Sequence, residues 1–227
     1  MLVLALAAGV SAKKKGVDAK KNDVVLLSTL DSVNYAVGIS VGYDVRRQVL
    51  DRHLGDKKNA KLVADGFAKS ISGDSTIFTK RQADSIASTY FAEQEKKEAD
   101  AWKAKNTNFL ATNSKAAGVV TTVSGLQYKK IKDGNGKKPT ADNTVKVHYE
   151  GKLINGTVFD SSRKRREPIE FKLDRVIRGW TEGLQLMDEG SVYELYIPSD
   201  LGYGERPMGN IPANSTLIFN VELLEVK

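Results

Sequence analysis

The sequence predicts an α+β protein: an all-helical N-terminal domain with a long stalk helix, then an antiparallel sheet wrapped on one short helix. Three observations carry this. Up to about residue 117, apolar residues recur at helical spacing. Beyond Gly118 the period falls to two. Late in the helical part lies a run that is polar all round, as in a solvated helix bridging two domains.

Residues 1–12 read as the remnant of a secretory signal, because Leu2 to Val10 is almost wholly apolar and small residues precede Lys13. The run is too short to span a bilayer; a buried first helix is the other reading. Residues 13–30, charged at their start, read as a flexible tether. Residues 31–78 read as a helical domain. Val33, Val37, Val41, Val45 and Val49 form one stripe, with Gly38 and Gly42 one turn apart. That pair either lets another helix approach closely or merely loosens this one. Leu62, Val63, Phe67 and Ile71 mark a second helix over about 59–72, stopped by Gly73.

Thr79-Lys80-Arg81-Gln82 has the form of a capping box. It opens a connecting helix over 79–117, on the order of 50 Å long. Ala83, Ile86, Ala87, Tyr90 and Phe91 give its first part a packing face. From Ala92 to Asp100 almost no large apolar residue occurs, and Glu93 and Lys97 form an i,i+4 pair. Trp102, Phe109 and Leu110 then give the end something to dock. Residues 118–227 read as the sheet domain. Val145, Val147 and Tyr149 alternate with polar residues, as do Tyr193, Leu195 and Ile197, and Leu217, Phe219, Val221 and Leu223. Asp133-Gly134-Asn135-Gly136 and Asn155-Gly156 are turn signals. A short helix over about 180–187 packs across the sheet.

Composition narrows the function. A chain of 227 residues with 41% hydrophobic and 28% charged residues is soluble, globular and long enough for one or two domains. The net charge of +7 is spread along the chain, so no nucleic-acid partner is expected. Lys13-Lys14-Lys15 and Arg163-Lys164-Arg165-Arg166 read as solvated faces; the second could instead favour acidic client segments or an anionic membrane. There is no cysteine, and the only histidines are His53 and His148. No metal site of the histidine-rich kind, no phosphate-binding loop and no nucleophile elbow can be drawn from these residues, so neither metal nor cofactor is expected. His148, between Val147 and Tyr149, faces out or makes a structural hydrogen bond.

Five motifs remain, in one order: Val145–Leu153, Asn155–Ser162, Val176-Ile177-Arg178-Gly179-Trp180, Tyr203-Gly204 and Ile211-Pro212-Ala213. Together they resemble the FKBP-type peptidyl-prolyl cis-trans isomerase family, from about Ser124 to Lys227. The resemblance implies a proline pocket floored by Trp180 and walled by Tyr149, Phe159, Ile169, Val176, Ile177, Ile211 and Phe219. It implies Tyr203 as the donor to the substrate carbonyl, and Asp160 as an acid at the edge, tethered to Tyr149 and Arg165. Asp160, Tyr203 and Tyr149 are thus the expected catalytic residues, with Arg165 among those that bind substrate. The sequence departs from the family's pattern at Ile169, where an aromatic is common, at Arg175, and in a shorter loop from Glu205 to Asn210. Asn113–Val119 and Ser124–Tyr128, with the helical half, are similar to the Mip-like secreted bacterial subgroup. That implies a homodimer through residues 31–78 and a periplasmic location, in some members at the outer membrane.

The implied reaction is rotation about an X-Pro bond, with a barrier of roughly 18–20 kcal/mol. No bond is made or broken. The twisted amide is less charge-separated than the planar one, so a dry apolar pocket with a fixed donor favours it. Expected clients are proline-containing unfolded or nascent exported proteins, and expected inhibitors are the macrolides that bind the family. The alternative is an ATP-independent chaperone whose pocket mainly docks clients.

Overall fold

The computed structural model describes residues 28–54 and 57–227. The predicted signal remnant, residues 13–27 of the predicted tether and the side chain of His53 lie outside the described residues. The chain divides into two compact units, residues 1–77 and 78–227.

In the first unit, helix α1 (Thr29–Val45) starts two residues before the expected position. A capping box is the reason. The Asp31 backbone N–H donates to Ser28 Oγ (3.1 Å), and the Ser28 backbone N–H donates to the Asp31 carboxylate (2.8 Å). Aspartate here does the work that glutamate or glutamine usually does. At Arg46 the helix widens into π-helical turns that run to Leu54, so Val49 does not continue an α-helical stripe. Helix α2 (Lys57–Ser72) stops at Gly73, whose φ of 73° suits glycine. Leu30, Val33, Val37, Ile39 and Tyr43 of α1, and Leu62, Phe67 and Ile71 of α2, are all exposed in the single chain.

In the second unit, helix α3 (Lys80–Asn113) starts at the predicted capping box, with the Thr79 N–H donating to Gln82 Oε1 (2.9 Å). It ends at Asn113, short of the expected 117. The i,i+4 ion pair on its solvated middle is Lys96–Asp100 (3.4 Å) rather than Glu93–Lys97. Its last turns dock on the sheet through the buried Gln127, which accepts from Asn113 Nδ2 (2.8 Å) and donates to the Leu110 carbonyl (2.9 Å). Phe109 lies against Tyr196, ring centres 6.0 Å apart.

Seven strands follow: β1 (Val119–Thr121), β2 (Gln127–Lys132), β3 (Thr144–Leu153), β4 (Val158–Ser161), β5 (Ile169–Lys172), β6 (Val192–Ile197) and β7 (Leu217–Val226). Every pairing is antiparallel, in the order β1-β2-β6-β7-β3-β4, with β5 also on β3. A single turn of helix, α4 (Ser162–Arg165), follows β4, and α5 (Arg178–Gln185) starts two residues before its expected position. The alternating apolar residues of β3, β6 and β7 are the core, which α5 covers with the buried Trp180 and Leu184.

Candidate active site

Strand β3 is the centre of the site because it pairs on both sides. Tyr149 lies opposite Val221 of β7 and Gly151 opposite Phe219, while Gly151 also faces Asp160 of β4. Along a regular strand, Phe159 and Asp160 would point to opposite faces. The register of β4 slips here: Asp160 pairs with Gly151, but Val158 pairs with Lys152, leaving Phe159 as an extra residue. This bulge lets both Phe159 and Asp160 line one cavity.

The cavity measures about 810 Å³. Its rings meet on Trp180: Tyr149 edge-on at 5.2 Å between ring centres, Phe219 at 5.1 Å and Phe171 at 5.1 Å. Phe159 stands edge-on to Phe219 at 5.5 Å. Edge-to-face rings at such distances attract by about 0.5–1.5 kcal/mol beyond their buried area, so the cage is stiff. Among the described residues the Trp180 Nε1–H has no hydrogen-bond partner. Leaving such a buried donor unpaired costs about 1–3 kcal/mol.

One edge is polar. The Tyr149 hydroxyl donates to Asp160 Oδ2, Arg165 Nη1 donates to Asp160 Oδ1, and Arg165 Nη2 donates to the Tyr149 oxygen at 3.0 Å. Burial pushes the Asp160 carboxyl upward, but the hydrogen bonds from Tyr149 and Arg165 and the charge of Arg165 outweigh it, leaving its pKa below the usual value. Burial, and then the bond to Asp160, push the Tyr149 phenol up. The bonds to Asp160 and Tyr149 raise the Arg165 guanidinium. At neutral pH the trio is therefore a carboxylate, a neutral phenol and a cation. His148 does not join it; its Nδ1 is 3.1 Å from Ser162 Oγ, which also accepts from the Tyr149 N–H (2.8 Å) and fixes the strand behind the pocket.

Tyr149, Phe159, Asp160, Ile169, Val176, Ile177, Trp180, Tyr203, Ile211 and Phe219 all line the cavity. Arg165 is not among the lining residues; it bonds Asp160 and the Tyr149 oxygen and holds both at the polar edge. Tyr203 sits on the turn after a short 3-10 helix (Ser199–Leu201), and Ile211 closes a tight turn by exchanging backbone bonds with Met208, both 2.9 Å. Sequence reasoning omits Glu170, Phe171, Arg175, Met208, Gly209 and Asn210 from the lining. Phe171 alternates with Ile169 on β5, a period-two signal that could have found it; the flap around Met208–Asn210 carries no such signal.

Gly151 shows how tight the wall is. A methyl group there would lie 2.7 Å from ring carbons of both Phe159 and Phe219. Gly151→Ala is expected to displace those rings, costing about 1–3 kcal/mol. It should lower kcat/KM on an X-Pro peptide roughly tenfold, an effect of about 1.4 kcal/mol. Thermal unfolding and a peptide assay check the two effects.

Comparison with known proteins agrees over most of the chain. The family model for FKBP-type peptidyl-prolyl cis-trans isomerase matches residues 135–224, and that for the domain amino terminal to it matches residues 30–129. A probable FKBP-type peptidyl-prolyl cis-trans isomerase FkpA of Neisseria meningitidis is 40% identical over 207 residues, 88% of this chain and 75% of the relative. The outer membrane protein MIP of Legionella longbeachae is 39% identical over 210 residues, 89% of this chain and 88% of the relative. The crystal structure of FkpA from Escherichia coli superposes with a TM-score of 0.73 at 33% identity, covering 89% of this chain and 99% of that one.

Proposed function

Since the chain belongs to the FKBP-type peptidyl-prolyl cis-trans isomerase family and acts on proline-containing protein segments, we propose how its residues divide that work. Trp180 takes the prolyl ring on its face. Phe159, Val176, Ile177, Ile211 and Phe219 exclude water around the scissile-free, rotating amide, and Ile169 forms a more open rim than an aromatic would. The Tyr203 hydroxyl donates to the substrate carbonyl. Asp160, held by Arg165 and Tyr149, presents a fixed negative edge toward the twisting bond, and Tyr149 is both wall and tether.

The observation that carries this reading is the cage of rings meeting on Trp180 with one ordered polar edge. Rotation needs no electron transfer and no nucleophile. It needs a place where the planar, charge-separated amide loses its solvation advantage over the twisted one. Isomerisation is favoured over a docking-only chaperone role because docking needs only the apolar cage, whereas an ordered polar edge on the same cavity suits a twisting amide.

The direct test is isomerisation of a short X-Pro peptide by the chain and by Tyr203→Phe. Removing one donor is worth about 1.4 kcal/mol, so a roughly tenfold fall in kcat/KM is expected with the fold intact. Equal rates would remove Tyr203 from the mechanism.

The clients we assign are exported proteins in unfolded or nascent form, and macrolides of the kind that bind the family are the expected inhibitors. The location we assign is the periplasm, near the outer membrane. Supporting it are the apolar run at residues 2–10 and the name of the Legionella relative. Among the described residues no helix is long and apolar enough to cross a membrane. The assembly we assign is a homodimer through residues 31–78, since the apolar faces of α1 and α2 are exposed in one chain. Sedimentation of the mature chain as a monomer would exclude it.

A further inference from the structure

We propose that the turn of α3 carrying Trp102 and Asn106 is part of the isomerase machinery: these two are positioning residues that set the loop carrying Tyr203 and the pocket wall that ends in Phe219. The Trp102 Nε1–H donates to Ser215 Oγ (2.9 Å), and that hydroxyl donates onward to the Pro212 carbonyl (2.6 Å). Asn106, a polar residue only 3% exposed, accepts from the Thr216 backbone N–H on Oδ1 (2.7 Å). Its Nδ2 donates to the Trp102 carbonyl (2.8 Å), which leaves the amide one orientation.

These bonds grip the segment 212–216 at both ends. On one side it continues from Ile211, on the other into β7 and Phe219, both in the pocket lining. In its middle the Asn214 N–H donates to the Gly204 carbonyl (2.8 Å), next to Tyr203. Lys103 reaches Glu205 on the same loop (3.4 Å). Tyr203 itself is 37% exposed, on the turn that these bonds hold. The loop therefore takes its position from a helix more than ninety positions earlier in sequence, through the half-buried Trp102–Ser215 bond, the buried Asn106–Thr216 bond and the exposed Lys103–Glu205 pair. A donor misplaced by a fraction of an ångström loses much of its effect on a transition state.

The inference rests on the donor role of Tyr203 given above, and its test separates the two. Four full-length variants are compared by X-Pro peptide kinetics and thermal unfolding: Trp102→Phe, Ser215→Ala, Asn106→Leu and Asn113→Ala. Asn113→Ala breaks one of the two bonds by which Gln127 docks the end of α3, far along the helix from the rim. Trp102→Phe and Ser215→Ala should each lower kcat/KM about fivefold. Asn113→Ala should lower the Tm while leaving kcat/KM at the wild-type value. If Asn106→Leu does not fold, the two milder variants decide. In a Tyr203→Phe background the effect of Trp102→Phe should shrink below its effect in the wild-type chain, because part of it acts through that hydroxyl. Wild-type rates in Trp102→Phe and Ser215→Ala, or an equal loss in Asn113→Ala, or full additivity with a Tyr203→Phe chain that is itself slowed, would each overturn the proposal. A Tyr203→Phe chain as fast as wild type counts against the donor role alone; a loss in Trp102→Phe and Ser215→Ala, with Asn113→Ala unaffected, then still shows α3 setting the pocket wall.

Discussion

Trp180→Ala is expected to remove nearly all isomerase activity and a large part of the stability of the sheet unit. Trp180 is 6% exposed and touches three other rings. Truncating so large a buried side chain costs about 3–5 kcal/mol, because the space left is not refilled. In a unit of this size that is roughly 10 °C in Tm. The prolyl ring also loses the face on which it rests, and water enters the cavity. A loss of about hundredfold in kcat/KM, equivalent to about 2.7 kcal/mol of transition-state stabilisation, should follow. Trp180→Phe keeps a ring and more of the volume, so it should be clearly milder in both measurements. If the two variants were equally slow while Trp180→Phe kept its Tm, the indole itself, rather than an aromatic floor, would be the requirement.

Asp160→Leu should give the opposite balance, with activity falling about tenfold, or about 1.4 kcal/mol, and stability changing little. Asp160 and Arg165 are 40% and 50% exposed, so Arg165 can return to solvent, and an ion pair of this exposure is worth about 0–1 kcal/mol. What is lost is the tether on Tyr149 and the negative edge. The pH dependence follows from the same geometry. The Asp160 carboxyl titrates below its ordinary value in the fold. Its contribution to stability is therefore whole above the unfolded pKa, about 3.9, and is lost as pH falls through the lower native value. Tyr149 is shifted the other way, so its contribution is whole below the unfolded tyrosine value, about 10, and is lost as pH rises through the native one. Between about pH 5 and 9 neither group changes state, and kcat/KM of the wild-type chain should be flat there.

The parts of this protein that were legible in the sequence are those that local chemistry decides. Thr79 and Gln82 cap a helix because they are three residues apart, and Gly73 ends one because it alone takes the backbone angle easily. Val145, Val147 and Tyr149 alternate because one face of β3 is buried. Ser28 and Asp31 were equally readable, but aspartate in place of glutamate disguised the capping box. The short strands β4 and β5 were not legible, since four residues carry little periodicity and their place is set by pairing with β3. The bulge at Phe159 belongs to the same class: it is a property of two strands in register, not of either alone. The rings of the site, Phe171 excepted, came from a resemblance carried by five motifs in order, which a hydrophobic pattern alone does not supply. That pattern could not show that Arg165 bonds both Asp160 and Tyr149. Nor could it connect Trp102 and Asn106 with a loop so distant in sequence.

The central claim is that a prolyl ring occupies the cage on Trp180. Intermolecular NOEs between a bound X-Pro peptide, labelled at proline, and the full chain test it most directly. The proline ring protons should show contacts to the Trp180 indole and to the Phe219 and Tyr149 rings, all lost in Trp180→Ala. Proline contacts confined to the exposed apolar residues of α1 and α2, with none to those three rings, would contradict the account.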